Sequence, residues 1–129
     1  MKKTNVAVIL KLRRAERDER QRVLAEAAGL CANLAGVRKS LEAELRKIES
    51  PPAPDSADPS YLADRDSRRA YLTRELRLCG RKEAIALDQE RTARANFTEA
   101  QKQLRLIEEL ITRQQVDSKW EARRREELN

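Results

Sequence analysis

The residues whose chemistry stands out in this sequence are arginine, tryptophan and cysteine, because the chain contains no histidine. Its 129 residues include 28 Lys and Arg, 22 Asp and Glu, two Cys and one Trp. The carboxylates stand beside arginines and lysines, so none has the shielded surroundings that tune a catalytic acid or base. No glycine-rich phosphate-binding loop is present either. We therefore expect no catalytic residue, no cofactor and no enzymatic activity.

The two cysteines, Cys31 and Cys79, stand far apart and form no CxxC motif. Two cysteines without a histidine cannot complete a closed zinc site, which takes four protein ligands. We expect both to be small core residues with reduced thiols, and we expect no metal site. A redox clamp between the two cysteines is the alternative.

The chain carries a formal net charge of +6, which suits an acidic protein, a nucleic acid or an anionic lipid as partner. Opposite charges are interspersed almost everywhere, however, as they are on a solvated helix face. Aromatic residues, which stack on bases, make up only 3% of the chain. No nucleic acid is therefore expected, and a basic nucleic-acid-binding rod is a further alternative.

Two clusters near the ends of the chain are the candidate partner-binding residues. Tryptophan and arginine are among the residue types that most often dominate protein interfaces, and the clusters contain both. The alternative for each cluster is a solvated, frayed helix end. The N-terminal cluster consists of Leu10, Leu12, Arg13, Arg14 and Arg17, and the C-terminal cluster consists of Trp120, Arg123, Arg124 and Arg125.

The elements that position these clusters are separated by proline. All four prolines fall within residues 50–60, and proline ends a helix because it lacks a backbone donor. The proline-free stretches on either side are rich in Ala, Glu, Leu, Lys and Arg, which predicts one long helix each. We expect a single domain with helices at about 3–49 and 61–127, the second capped by Asp58 or Ser60. No signal peptide or bilayer-spanning segment is recognised, so the cytoplasm is the expected compartment.

Seam residues recur in both stretches in alternating steps of three and four, the pattern of a coiled coil. Folding at the loop brings the strong parts of both seams together, which favours an all-α, antiparallel coiled-coil hairpin whose second helix is longer. In this arrangement the sequence numbers of two residues that face each other should add to about 110. Cys31 then lies opposite Cys79, and the second helix is unpaired beyond about residue 108. Two chains that exchanged arms would form the same seam, but we expect a monomer. The seam positions are Leu24, Ala27, Cys31, Leu34, Arg38, Leu41, Leu45 and Ile48 in the first helix, and Leu62, Arg65, Arg69, Leu72, Leu76, Cys79, Glu83, Ala86, Glu90, Ala93, Phe97, Ala100, Leu104, Ile107 and Ile111 in the second.

The ends of the chain resemble those of a known family. The segment from Val8 to Glu16, VILKLRRAE, resembles the "VLxLRxxxE" start of the flagellar and type III secretion export stalk proteins (the FliJ/YscO type). The segment from Trp120 to Glu127, WEARRREE, is similar to their charged C-terminal tail. Chain length, loop position and the longer second helix also match, so the resemblance covers the whole chain.

The resemblance implies a two-helix stalk like that of rotary ATPases, whose terminal end inserts into the hexameric export ATPase ring and promotes its assembly and activity. It further implies contacts with the export gate membrane protein and with escort chaperones, beside an inner-membrane secretion apparatus. Flagellar and virulence systems both remain open. A generic coiled-coil scaffold or oligomerisation protein is the alternative function. The ring-facing residues would be Leu10, Leu12, Arg13, Arg14, Trp120, Arg123 and Arg124.

Overall fold

A computed structural model describes residues 3–50 and 58–128 of the chain. Helix α1 spans Lys3–Glu49 and helix α2 spans Pro59–Leu128, and these residues contain no strand. Both helices begin and end within two residues of the predicted bounds. Most of the predicted loop, residues 51–57, lies outside the described residues. Neither described helix combines the length and the apolar character that crossing a bilayer requires.

Asp58 caps the N-terminus of α2. Its side-chain Oδ1 accepts a hydrogen bond from the Ser60 amide at 3.1 Å, and its carbonyl oxygen accepts one from the Leu62 amide. Pro59 occupies the first helical position, where its missing N–H is not needed and its backbone angle suits the helix. Of the two predicted caps, Asp58 and Ser60, the structure uses Asp58.

Arg65 of α2 satisfies the C-terminal end of α1. Its guanidinium donates to the carbonyl oxygen of Ile48 and, at 3.0 Å, to that of Ser50. The last carbonyl groups of a helix have no partner within the helix and carry its partial negative charge. The cation therefore stabilises the end of α1 and ties it to the beginning of α2.

The two helices pack against each other in opposite directions. Arg13, early in α1, bonds Gln103, late in α2, whereas Glu44, late in α1, bonds Arg68, early in α2. With 47 residues in α1 and 70 in α2, the second helix is the longer one. The predicted fold class, an all-α helical hairpin, is confirmed.

The chain forms two compact units, each built from a segment of both helices. The terminal unit comprises residues 1–25 and 92–129, and so contains both ends of the sequence. The loop unit comprises residues 26–91. Each unit has its own stretch of seam between α1 and α2.

The core of each unit is a row of mostly small side chains on α2. The buried residues are Leu72, Cys79 and Ala86 in the loop unit, and Ala93, Ala100 and Leu104 in the terminal unit. The first five recur every seven residues, which confirms the heptad pattern predicted for α2. Alanine and cysteine allow α1 to approach closely. The predicted seam residues of α1, from Leu24 to Ile48, are all half-buried.

The register of the seam differs from the predicted one. Cys31 lies near Glu83 and Glu90, and the buried Ala86 stands between these two glutamates on the same face of α2. Cys31 is therefore opposite Ala86 and not opposite Cys79. The difference is one heptad, or roughly 10 Å along the helix. Both cysteines are free thiols.

The heptad repeat itself explains why the predicted register was wrong. A shift of seven residues replaces each seam position by another seam position, so the apolar pattern fits both registers. In the structure α2 begins to pair later than expected, because Arg65 meets the end of α1 while Leu62 is exposed. Cys79 then reaches Leu34, and its thiol donates to the carbonyl oxygen of that residue at 3.5 Å.

Candidate functional site

All nine predicted partner-binding residues lie in the terminal unit. Helix α1 contributes Leu10, Leu12, Arg13, Arg14 and Arg17, and helix α2 contributes Trp120, Arg123, Arg124 and Arg125. The hairpin thus brings two clusters from opposite ends of the sequence into one compact unit.

Arg13 is a seam residue as well as a candidate contact residue. Its guanidinium donates to Glu16 at 3.1 Å and, across the seam, to the side-chain oxygen of Gln103 at 2.6 Å. A hydrogen bond from a charged donor is stronger than one between neutral groups. Arg13 therefore helps to hold α1 on α2, and replacing it would disturb this packing.

The rest of the N-terminal cluster divides into engaged and outward-facing residues. Arg17 is half-buried and pairs with Asp18 at 2.9 Å. Arg14 is exposed and makes no ion pair within the described part of the chain. Leu12 leaves 63% of its surface exposed. Leu12 and Arg14 are therefore the members of this cluster that are most open to a partner.

Leu10 lines an open groove between the two helices of the terminal unit. The groove is lined by Val6, Ala7 and Leu10 of α1 and by Ile111, Gln114, Gln115, Ser118 and Lys119 of α2. Ile111 is half-buried and residues 112–128 are all exposed, so α1 covers α2 to about Ile111, close to the predicted limit of about residue 108. The shift of the seam register moves the start of the unpaired segment toward the C-terminus. Residues 120–128, the C-terminal extension, are helical and all exposed.

Trp120 begins the C-terminal extension, and 57% of its surface is exposed. The guanidinium carbon of Arg123 lies 5.7 Å from the centre of the indole ring, in a cation–π contact. Val116 and Lys119 complete a shallow depression beside the ring. An aromatic ring with two neighbouring cations suits an apolar side chain that is flanked by carboxylates.

Arg124 and Arg125 are exposed, and neither makes an ion pair among the described residues. Arg124 shares a second shallow depression with Asp117, Trp120 and Glu121. Cations that have no close acidic partner extend their field into the solvent, where it attracts an acidic partner and speeds its association. The C-terminal extension therefore combines an aromatic anchor with available positive charge.

Sequence reasoning missed Lys119 as a candidate site residue. In the structure its side chain borders both the groove around Leu10 and the depression beside Trp120. The available signal was its spacing of four residues from Arg123, because residues four apart lie on one helix face.

The cysteines of the loop unit lack the features of a reactive pair. Burial raises the pKa of the Cys31 thiol, and the carboxylates of Glu90 and then Glu83 raise it further. Burial also raises the pKa of Cys79, and Glu83 adds to the effect. Since the thiolate is the reactive form, both thiols are held in the unreactive state. Among the described residues no three metal-binding side chains come together.

No family model, curated protein or solved structure matches the chain. The fold and the candidate site therefore define its class by geometry alone. It is a two-helix hairpin whose terminal unit presents arginines and a tryptophan to the solvent.

Proposed function

We propose that the chain is the non-enzymatic coiled-coil stalk of a type III protein export apparatus, flagellar or virulence-associated. In this role the terminal unit binds the hexameric export ATPase ring and promotes its assembly or activity. The stalk acts in the cytoplasm, beside an inner-membrane secretion apparatus. One observation carries the proposal: the two end segments that resemble the stalk family lie in one compact unit.

The exposure of the C-terminal extension supports a partner at this end. Its residues remain helical although all of them face the solvent. A helix that packs against nothing is marginally stable in water, because tertiary contacts provide most helical stability in proteins. A protein surface that covered Trp120 would supply the missing contacts and bury a large aromatic ring.

The charge of the terminal unit supports an acidic partner surface. Arg14, Arg124 and Arg125 make no ion pair within the described residues, so binding would not have to break one. Acidic loops that line a ring pore would attract these cations over several ångströms. Salt screens such attraction, with a Debye length of about 8 Å at physiological ionic strength. Binding should therefore weaken as salt is added.

The proposal is tested by the affinity of the full chain for the purified export ATPase encoded in the same genome. We expect Arg124→Glu to weaken binding by at least about tenfold, because a repulsive charge replaces an attractive one. Arg124 is a cleaner target than Arg13, whose replacement would also remove the bond to Gln103 across the seam.

Arg81→Glu is the matched control for this experiment. Arg81 is an exposed arginine of α2 in the loop unit and, like Arg124, makes no ion pair among the described residues. The control should bind as the unaltered chain does. Equal loss in both variants, or no loss with Arg124→Glu, would contradict the proposal.

A coiled-coil scaffold is the second candidate function, favoured by apolar side chains that face the solvent. In the loop unit Leu30 and Val37 are 46% and 50% exposed. A scaffold requires stable self-association and no ATPase ring. Light scattering that shows a stable oligomer, together with no affinity for the export ATPase, would favour this role over the stalk.

A further inference from the structure

Five side chains form a single row along the exposed end of α2. They are separated by alternating steps of four and three residues, which keep side chains on one face of a helix and are the spacing of a coiled-coil seam. Every residue from 112 to 128 is exposed, so no helix of the described chain covers this row. The row, called the end row below, consists of Arg113, Asp117, Trp120, Arg124 and Glu127.

The end row faces away from α1. Ile111 is half-buried and is the last residue of α2 that α1 covers. It stands nine residues before Trp120, which is two and a half helical turns, so the two side chains point to opposite sides of α2. A further helix can therefore lie along the end row without displacing α1.

The four charged residues of the end row have no ionic partner. Arg113, Asp117, Arg124 and Glu127 are exposed, and none makes an ion pair within the described residues. Along the helix their charges alternate in sign, with Trp120 in the middle of the row. A wholly acidic or wholly basic partner would therefore meet two like charges, whereas a partner with alternating charges can match all four.

The end row is complementary to itself when it is read in the opposite direction. In an antiparallel pair centred on Trp120, Arg113 of one copy lies opposite Glu127 of the other. Asp117 of one copy likewise lies opposite Arg124 of the other. A parallel pair would instead place each charge against its own copy, which is unfavourable.

The opposed residues also lie on matching sides of the row. Arg113 and Glu127 stand seven residues before and after Trp120, so both follow its line along the helix. Asp117 and Arg124 are seven residues apart and therefore share one flank of that line. Two-fold symmetry about Trp120 brings this flank of one copy beside the same flank of the other, so each acid can reach its base.

Trp120 suits the centre of such a pair. Its ring is 57% exposed and stands between two shallow depressions of α2. The ring of a second copy can therefore lie beside it, and an offset pair of aromatic rings is a favourable contact. One depression is completed by Val116, Lys119 and Arg123, and the other by Asp117, Glu121 and Arg124.

We infer that the end row binds the end row of a second copy of this chain, in an antiparallel dimer whose two-fold axis passes beside Trp120. Such an interface uses the same surface on both copies, so each ion pair occurs twice. The contact extends over about four helical turns, which makes the dimer a weak one.

The dimer goes beyond the proposed function and does not rest on it, because it requires no other protein. It differs from the monomer that the sequence alone led us to expect. That expectation considered only the seam between α1 and α2, whereas the end row lies on the opposite side of α2. Since the dimer covers Trp120 and Arg124, it would compete with any other partner of the C-terminal extension.

Sedimentation equilibrium of the full chain at low salt, from about 1 µM to about 1 mM, tests the inference. We expect a monomer–dimer equilibrium that weakens as salt is added, because salt screens exposed ion pairs. Trp120 is the single tryptophan of the sequence. Its fluorescence should therefore shift to shorter wavelengths as the dimer forms, because the ring leaves water.

Exchanging one pair of charges tests the arrangement. Arg113→Glu and Glu127→Arg should each weaken the dimer by at least about tenfold, because each places like charges together twice. The double variant that carries both changes should dimerise as the unaltered chain does. Within one chain these two residues are roughly 21 Å apart, so they cannot compensate each other there.

Arg81→Glu is the matched control, because it reverses an exposed arginine of α2 that lies in the loop unit. It should leave the dimer unchanged. The inference is overturned if the unaltered chain is monomeric throughout, which would leave the end row to a different protein. It is also overturned if the double variant dimerises no better than the single variants, or if the fluorescence of Trp120 stays constant as the dimer forms.

Discussion

Arg38 and Glu83 occupy seam positions that a coiled coil usually fills with apolar side chains. The structure pairs them across the helices at 2.9 Å, and Arg38 also bonds Glu42 at 3.1 Å. These hydrogen bonds, first to Glu42 and then to Glu83, raise the pKa of Arg38 and keep it charged. A polar pair within a seam can select one register among several. The apolar pattern allows any shift by seven residues, so the Arg38–Glu83 pair is one contact that distinguishes the observed register from the predicted one.

The partners of the predicted site residues, like the register, could not be read from the sequence. Arg13 was predicted as a partner-binding residue, whereas its bond to Gln103 gives it a role in the packing of α1 on α2. Arg14, the next residue, is exposed. Helical periodicity gives the direction of each side chain, but it does not give the partner that a long, flexible arginine reaches.

The raised pKa values of Cys31 and Cys79 predict a fall in stability at alkaline pH. Burial and the neighbouring glutamates make the folded state hold both thiol protons more tightly than the unfolded state, whose thiols titrate near about pH 8.5. Their contribution is therefore fully present below that pH and is lost as the pH rises through the higher folded values. We expect the urea midpoint, followed by circular dichroism, to fall from neutral pH to about pH 10.

The double variant Cys31→Ala, Cys79→Ala is the control for this prediction, because tyrosine and lysine also titrate in alkaline solution. Its midpoint should fall less over the same pH range. If the urea midpoints of the variant and of the unaltered chain fall equally as the pH rises, the thiols do not contribute to the loss of stability.

At the scale of the helices, the bounds could be predicted and the register could not. Proline and the Asp58 cap act locally, so the sequence alone placed both helices within two residues of their observed ends. The register depends on contacts between residues far apart in the sequence. The hydrogen bond from Arg65 to the carbonyl oxygen of Ile48 is one such contact, and no local sequence pattern predicts it.

The register predicts which cysteine pairs can be crosslinked. A disulfide needs Cβ atoms about 4 Å apart, whereas a shift of one heptad separates Cys31 from Cys79 by roughly 10 Å along the helix. We expect no Cys31–Cys79 bond in the unaltered chain under mild oxidation. With Cys79→Ala and Ala86→Cys introduced together, we expect Cys31 to form a bond within one chain. Non-reducing electrophoresis at low protein concentration shows this as a fast-migrating monomer.

Two results of this experiment would contradict the observed hairpin. Rapid oxidation of the unaltered chain to a fast-migrating monomer would show that Cys31 faces Cys79, as in the register predicted from the sequence. A covalent dimer of the Ala86→Cys variant at low concentration would mean that α1 pairs with α2 of another chain.

At the scale of the whole molecule, a chain that folds back once at the loop brings segments near its two ends into one compact unit. The sequence also predicted a C-terminal part of α2 that has no partner helix, and residues 112–128 are all exposed. The terminal clusters lie in the terminal unit, whereas the Arg38–Glu83 pair lies in the loop unit. Each can therefore be altered without replacing a residue of the other.

The rate of ATP hydrolysis by the purified export ATPase, measured as the chain is added, tests the central claim most directly. The unaltered chain and the Arg81→Glu variant should both raise the rate to the same plateau. Trp120→Ala and Arg124→Glu should raise it little, because the first removes the exposed ring and the second reverses an available charge. If the unaltered chain leaves the rate unchanged, or if all four proteins raise it equally, the terminal unit does not act on the ATPase as proposed.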